Sequence, residues 1–306
     1  MRKKEYNVSV VIPNYNGEKF IAQAIECILA QNVSSLIELI IVDDASTDNS
    51  VNLIEEKIRD ITWAKLVSLK INVGRSKARN LGVAVSKYSL ILFLDNDDLL
   101  PSDYIKNLLN LANITKLIEI VIAGQKNYFL DGEYGLRGPL EIHDSSLESI
   151  LLGKFFVPTG FMISKNIFEE LEGFDALLHE REDWDFASKL CIAGYSIIAS
   201  DMPVWVRLHQ NNNSKNHERF ISATLKVHER LATYFKITGD KKMHAKLCSY
   251  TASQIARRPV KLALRFCGLK IAFKALFIDI RVSIGQSIFF TIARLLIRMT
   301  IRNKNT

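Results

Sequence analysis

Cysteine is scarce in this sequence, and the four present, Cys27, Cys191, Cys248 and Cys267, stand far apart, with no Cys-x-x-Cys pair and no histidines at zinc spacing. That excludes a scaffold stapled by disulfides or zinc and predicts reduced thiols in a core, as on the cytosolic face of a membrane. The opening stretch, MRKKEYNVSVVIPNYN, has too few apolar residues before Pro13 for the h-region of a secretory signal, so a cytoplasmic location is expected. The C-terminal part lacks the roughly 20 uninterrupted apolar residues of a membrane-spanning helix. Its longest uncharged run, VSIGQSIFFTIA between Arg281 and Arg294, falls well short. Internal repeats, low-complexity linkers and any recognisable nucleic-acid-binding motif are absent too, and nucleic acid is not expected as a partner.

What is present is a chain of 306 residues, 48% of them hydrophobic, enough for one large domain or two ordinary ones with a sizeable core. The net charge of +7 is unevenly spread. Residues 226–306 hold 17 Lys and Arg against three acids, whereas residues 1–225 hold 23 against 30. A basic C-terminal region therefore follows an acidic body, with the boundary placed near residue 216.

The acidic body alternates strands and helices. VSVVIPNYN reads as a β-branched strand, and GEKFIAQAIECILAQ follows with apolar residues at helical spacing. LIELIIVDDASTDNS is a second strand with an acidic turn, leading into the helix SVNLIEEKIRDI, for which Ser46 or Asp48 is the candidate N-cap. AKLVSLK is a third strand, SKARNLGVAVS a helix, and SLILFLD a fourth strand, apolar up to its carboxylate end. Further on, IEIVIAGQKNYF reads as a strand, and GYSIIASDMPVWVRLH is expected to supply two more. Beyond His217 the pattern is helical. Alternation of this kind predicts an α/β fold with a mostly parallel sheet, whose ligands bind beyond the carboxyl ends of the strands. Pro13 to Asn16, Asp43 with Asp44, and Asp95 to Asp98 all lie at such ends, so three turns converge on one crevice. The LFLDNDDLL turn concentrates like charges, which repel unless a cation compensates them.

Seven pieces in order, VVIPNYNGEKFIAQAIECILAQ, LIIVDDASTDNS, NVGRSKARNLGVA, LFLDNDD, EGFD, REDWDFASKL and VRLHQNNNS, resemble the inverting family-two glycosyltransferases of the GT-A fold over about residues 7–216. The resemblance implies a Rossmann-like, mostly parallel sheet flanked by helices over residues 1–216, followed by a helical basic extension over 217–306. It implies a nucleoside pocket at Pro13, Tyr15, Asn16 and Glu18, with Asp44 accepting a hydrogen bond from the base, usually uracil. It also implies Arg79 facing the base or diphosphate, with Arg75 and Lys77 as further candidates. By the D-x-D logic of the family, Asp95 holds the ribose or reaches a metal through water, and Asp97 binds Mn2+ or Mg2+ directly, ions suited to oxygen ligands. Asp98 either substitutes for Asp97 or caps a helix beginning at Pro101. Asp183 of the Glu-Asp pair is the implied general base, with Glu182 orienting the acceptor or the base. Arg207, His209 and Ser214 of the R-x-H segment close over the diphosphate or metal. GFMISKNIFEELEGFD forms an acceptor-side wall, with Gly173, Phe174 and Asp175 holding its shape.

The implied activity is metal-dependent, inverting transfer of a sugar, a hexose or N-acetylhexosamine, from a UDP-sugar to a glycan or lipid-linked acceptor in bacterial surface polysaccharide synthesis. The basic tail, with large apolar residues among its charges, suits either the inner, anionic face of a membrane or a packing and dimerisation surface. Two competing readings are a sugar nucleotidyltransferase and a non-catalytic nucleotide-sugar-binding scaffold. The first needs a glycine-rich phosphate loop that PNYNGEKF does not provide. The second gives no reason to keep Asp95, Asp97 and Asp183 together.

Overall fold

The computed structural model describes residues 6–33, 37–115, 121–130, 133–137, 147–151, 158–195, 197–208 and 216–256. In chain order the elements are β1 (Val8–Asn14), α1 (Ile21–Leu29), β2 (Ile37–Asp43), α2 (Ser50–Ile58), β3 (Ala64–Ser68), α3 (Arg75–Ala84), β4 (Leu90–Phe93) and α4 (Tyr104–Thr115). They continue as β5 (Val121–Leu130), β6 (Glu133–Arg137), α5 (Leu147–Leu151), β7 (Met162–Ser164), α6 (Lys165–Glu170), α7 (Glu182–Ile192), β8 (Ile197–Leu208), α8 (His217–Thr238) and α9 (Lys241–Ala256). They fall into two compact units, one of residues up to 146 with 155–212, the other of 147–154 with residues from 213 onward.

In the first unit the sheet runs β3-β2-β1-β4-β7-β5-β6, with β8 beside β5. β1, β2, β3 and β4 are mutually parallel where they pair, the expected arrangement for strands joined by helical crossovers. All seven residues of β1 and all four of β4 are buried, which is why β4 is wholly apolar and β1 is apolar except at Ser9 and Asn14. α1 covers one face with Ile21, Ala24, Ile25 and Ile28, at the i, i+3, i+4, i+7 spacing read from the sequence. Beyond β4 the direction reverses: β7 pairs antiparallel with β4 and with β5. This brings the residues just before β7 beside the carboxyl end of β4, where Gly160 donates to the carbonyl of Phe93 (2.8 Å). Phe93, Phe161, Phe168, Phe174 and Phe186 pack as one aromatic cluster behind that end, with ring centroids 5.0–6.2 Å apart.

Several local expectations change. GYSIIASDMPVWVRLH forms one strand, not two; its pairing with β5 jumps from Gly124–Ser200 to Gln125–Pro203, a bulge that absorbs Asp201 and Met202 without ending the strand. The helix after the acidic turn starts at Tyr104, one turn later than Pro101. The residue ahead of α2 is Asn49; Asp48 accepts from the Ser50 N–H (3.0 Å), while the Ser46 hydroxyl donates to Asp43 (2.6 Å). Cys248 is buried, but Cys27 and Cys191 are half-buried. Burial pushes their thiols up to about 11 and about 12, so neither is a thiolate at neutral pH. Cys267 lies outside the described residues, as does the tail from 257 onward.

The second unit contains α5, α8 and α9. α8 begins where the Asn216 side chain accepts from the Arg219 N–H (3.0 Å) and ends at Gly239 in the left-handed region. His228 meets Thr251 of α9 (2.9 Å), and Lys246 of α9 pairs with Glu148 of α5. Among the described residues no helix is long and apolar enough to cross a membrane.

Candidate active site

A cavity of about 290 Å3 opens at the carboxyl ends of β1, β2 and β4 and is lined by Pro13, Asn14, Tyr15, Asp44, Arg75, Arg79, Asp95, Asn96 and Asp97, among others. Eight residues singled out from the sequence, Pro13, Tyr15, Asp44, Arg75, Arg79, Asp95, Asp97 and Asp98, thus line one cavity. Others take up different work. Asn16 turns the chain in the left-handed region (φ 49), and its side chain accepts from the Thr47 N–H (2.8 Å). Glu18 lies outside the lining: its carboxylate accepts from the Asn49 N–H at the start of α2 (3.3 Å), and its own N–H donates to Asp48 (3.0 Å). Both tie the first turn to the second.

Asn14, not marked from the sequence, is the knot of this frame. Its Nδ2 donates to Asp43 (2.7 Å) and its Oδ1 accepts from Asn96 (2.8 Å), so a single amide links the ends of β1, β2 and β4. Asp44, buried, accepts from the N–H groups of Val73 (2.6 Å) and Gly74 (2.8 Å), which fixes the loop ahead of α3 and orients the carboxylate over the cavity. Lone pairs remain on its oxygens for a ligand donor.

The acidic turn after β4 divides into three environments. Asp95 is paired through Oδ1 with Arg79 (2.5 Å) and Asp97 lines the cavity half-buried. Asp98 is buried, accepting from the Thr159 hydroxyl (2.5 Å) and the Arg207 N–H (2.9 Å). Burial first, then the charges of Asp97 and Asp95, push the Asp98 carboxyl well above the usual carboxylate range. Asp98 is therefore the buried anchor of this turn rather than a helix cap, because α4 begins six residues later.

Arg79 is 1% exposed and holds two acids at once, Asp95 and Glu182 (3.0 Å). Glu182 also receives Arg75 (3.0 Å), whose guanidinium is half-exposed and faces the cavity. Burial works against the Arg79 charge, but Asp95 and Glu182 outweigh it and raise its pKa further. Arg207 packs behind the acidic turn, its Nε donating to the carbonyl of Asp97 (3.0 Å), its Nη2 to Gln23, and its guanidinium over the Phe20 ring (4.7 Å). It shapes the turn from outside the cavity lining. His209 and Ser214 lie outside the described residues.

α7 starts directly after Arg181, a non-glycine residue in the left-handed region (φ 63), a conformation that costs about 1–2 kcal/mol and recurs near functional groups. Glu182, Asp183 and Asp185 occupy its first turn, where the helix dipole favours carboxylates. Asp183 is half-buried, with Oδ1 accepting from the Trp184 N–H (2.7 Å). Among the described residues no three His, Cys, Asp or Glu side chains form a metal-binding group. Asn14, Asn96 and Thr159 escaped the sequence reading because each acts through a partner tens of residues away, and Arg181 because its part is its backbone conformation.

The family model described as glycosyl transferase family 2 matches residues 9–171, just over half of the chain. The chain is 28% identical over 178 residues to the glycosyltransferase GlyG of Streptococcus pneumoniae, an alignment covering 54% of this chain and 58% of GlyG. It is 35% identical over 131 residues to the minor teichoic acid biosynthesis protein GgaB of Bacillus subtilis, covering 42% of this chain and 14% of GgaB. The chain thus spans well under two thirds of these relatives. Among solved structures, S. aureus TarS 1–349 in complex with UDP-GlcNAc superposes with a TM-score of 0.61 at 18% identity, covering 84% of this chain and 82% of that one. That likeness gives the GT-A fold, and with the family match over the strands that build the cavity, the chain belongs to glycosyl transferase family 2.

Proposed function

We propose that this chain transfers a sugar from a UDP-sugar to a hydroxyl of a glycan or lipid-linked acceptor, with inversion at C1, in the assembly of a surface polysaccharide. The carrying observation is the cavity that joins Asp44, Asp95 and Asp97 at the strand ends, with Arg75 on its rim. TarS, of the same fold, binds UDP-GlcNAc, and GgaB is named for teichoic acid biosynthesis; both support the donor and product classes.

In this reading Pro13, Tyr15 and Asp44 hold the nucleoside, Asp44 accepting the uracil N–H. Asp95 and Asp97 would hold Mn2+ or Mg2+ together with the diphosphate. The residues fit such an ion: both are hard oxygen donors, and Oδ2 of Asp95 has no protein partner among the described residues. When bound, the ion would neutralise charge on the departing diphosphate. The acceptor oxygen attacks C1 from the side opposite the diphosphate and its proton passes to the Asp183 carboxylate. The bond between C1 and the diphosphate oxygen breaks, and its electron pair leaves with UDP. Glu182, held by two arginines, orients the start of α7 instead of taking a proton. The basic tail would bring the protein to the inner membrane surface, where lipid-linked acceptors are made.

The test is calorimetric binding of UDP and GDP with and without Mn2+, for wild type and Asp97→Ala. Metal-dependent UDP binding that Asp97→Ala lowers at least about tenfold is expected. No nucleotide binding under any of these conditions would remove the reading.

A further inference from the structure

α3 runs beside the segment leading into α7, and four of its side chains grip that segment. Arg75 donates to the carbonyl of His179 (2.9 Å), Ser76 to that of Leu178 (3.0 Å), and Arg79 to Glu182 (3.0 Å). The fourth, Asn80, bonds one residue in both directions. Its Nδ2 donates to the carbonyl of Phe174 (2.8 Å) and its Oδ1 accepts the Phe174 N–H (3.0 Å). A side-chain amide that satisfies both backbone groups of one residue substitutes for a strand partner and fixes that residue in place.

The turn is shaped to receive this amide. Gly173 sits in the left-handed region (φ 60), and a Cβ there would lie 2.8 Å from Asn80 Oδ1 and 2.8 Å from the Phe168 ring. From the opposite side Lys189, in the last turn of α7, donates to the carbonyl of Gly173 (3.1 Å). The Phe174 ring lies 5.4 Å from the Arg79 guanidinium and 5.0 Å from the ring of Phe186 of α7. The Gly173–Phe174 turn is thus clamped between α3, which helps to line the cavity, and α7, whose second residue is Asp183.

We infer that Asn80 is a positioning residue for the transfer reaction: without touching substrate, it holds the Gly173–Phe174 turn, and through it the helix carrying Asp183, in register with the donor cavity. This rests on the reading of Asp183 as the base. Asn80 is neutral and lies outside the cavity lining, so its loss changes neither the charge nor the walls of the donor pocket. A shift of the base of about 1 Å costs on the order of 100-fold in rate, while the nucleoside contacts at the ends of β1, β2 and β4 stay in place.

Full-length wild type, Asn80→Ala, Asn80→Asp and Asp183→Asn would be compared for UDP affinity with Mn2+. The same proteins would be assayed for UDP release from a panel of UDP-hexoses and UDP-N-acetylhexosamines, with water as acceptor. Asn80→Ala is expected to keep UDP affinity and donor KM within about twofold while kcat falls at least about tenfold. Asn80→Asp, which still accepts the Phe174 N–H but cannot donate to its carbonyl, should fall between. A kcat within about twofold of wild type, or UDP affinity falling in parallel with kcat, overturns the inference. If Asn80→Ala binds no UDP at all, Asn80→Asp decides by the same criterion. An inactive Asp183→Asn beside a fully active Asn80→Ala refutes the role of Asn80 alone. Asp183→Asn with wild-type turnover refutes the base assignment and the route through which Asn80 acts. A wild type that binds UDP but releases none from any donor overturns the inference, because Asn80 then governs no displacement at C1 with water, and leaves UDP binding to decide the reading beneath it.

Discussion

Leucine in place of Arg79 tests the frame of the site most directly. It keeps an apolar stem but removes the cation between Asp95 and Glu182. Losing one member of a buried ion pair costs about 3–5 kcal/mol, because the partner charge is left desolvated. Two features place Arg79→Leu at the low end, about 3 kcal/mol: the Asp95 side chain is 26% exposed and can rehydrate, and Glu182 keeps Arg75. In a unit of about 200 residues that corresponds to a fall in Tm of roughly 6–12 °C. Urea unfolding followed by tryptophan fluorescence reports on this unit alone, since Trp63, Trp184 and Trp205 all lie in it. Arg79→Leu and Glu182→Gln remove the same buried bridge, so the double variant should cost at least about 1 kcal/mol less than the sum of the two single ones. A cost below about 1 kcal/mol for Arg79→Leu, or strict additivity of the two substitutions, would refute the buried-bridge account.

Gly17→Ala would drive a Cβ into Asn14 Oδ1 and Asn96 Nδ2, breaking the amide link between the first and third turns. UDP affinity measured by calorimetry should fall about tenfold, or 1.4 kcal/mol, and an unchanged Kd would count against that link as part of the donor site. Glu38, at the opposite end of β2, gives a pH test. Burial alone would raise its carboxyl, but Lys65, the Lys87 N–H and the Ser9 hydroxyl outweigh it and hold it below the usual range. A depressed carboxyl stabilises the fold fully above its unfolded pKa and loses that contribution as pH falls through the folded value. The stability gap between wild type and Glu38→Gln should therefore be constant above about pH 5 and close below it; a gap that widens on acidification would reverse the assignment.

Much of the cavity was legible because its signals are local. Each turn follows its own apolar strand within a few residues, so Pro13, Asp44 and Asp95 could be assigned to strand ends from periodicity alone. Partner choice was not legible. Arg79 finds Glu182 across 103 residues, and Arg207 reaches Gln23 across 184. No spacing rule covers such separations, so the packing of Arg207 behind the acidic turn was not foreseen. Glu18 was expected at the nucleoside for a related reason: competition from the N–H groups at the start of α2 cannot be seen without the crossover geometry. β7, three residues long, carries too little pattern to be read, yet its antiparallel pairing brings Thr159 to Asp98.

The reversal of strand direction after β4 also bears on how such a chain can diversify. Apart from Val206, the residues that line the cavity are encoded contiguously, between Pro13 and Asp98, whereas Thr159, the Gly173–Phe174 turn and the start of α7 come from a later stretch. On the proposed reading of the site, a genetic exchange with its crossover between those stretches would carry in a new acceptor side and leave the nucleotide side intact. The seam is narrow: Ser76, Arg79 and Asn80 on one parent must meet a compatible backbone on the other. Chimeras that respect those three contacts are the ones in which a borrowed acceptor side would arrive correctly aimed.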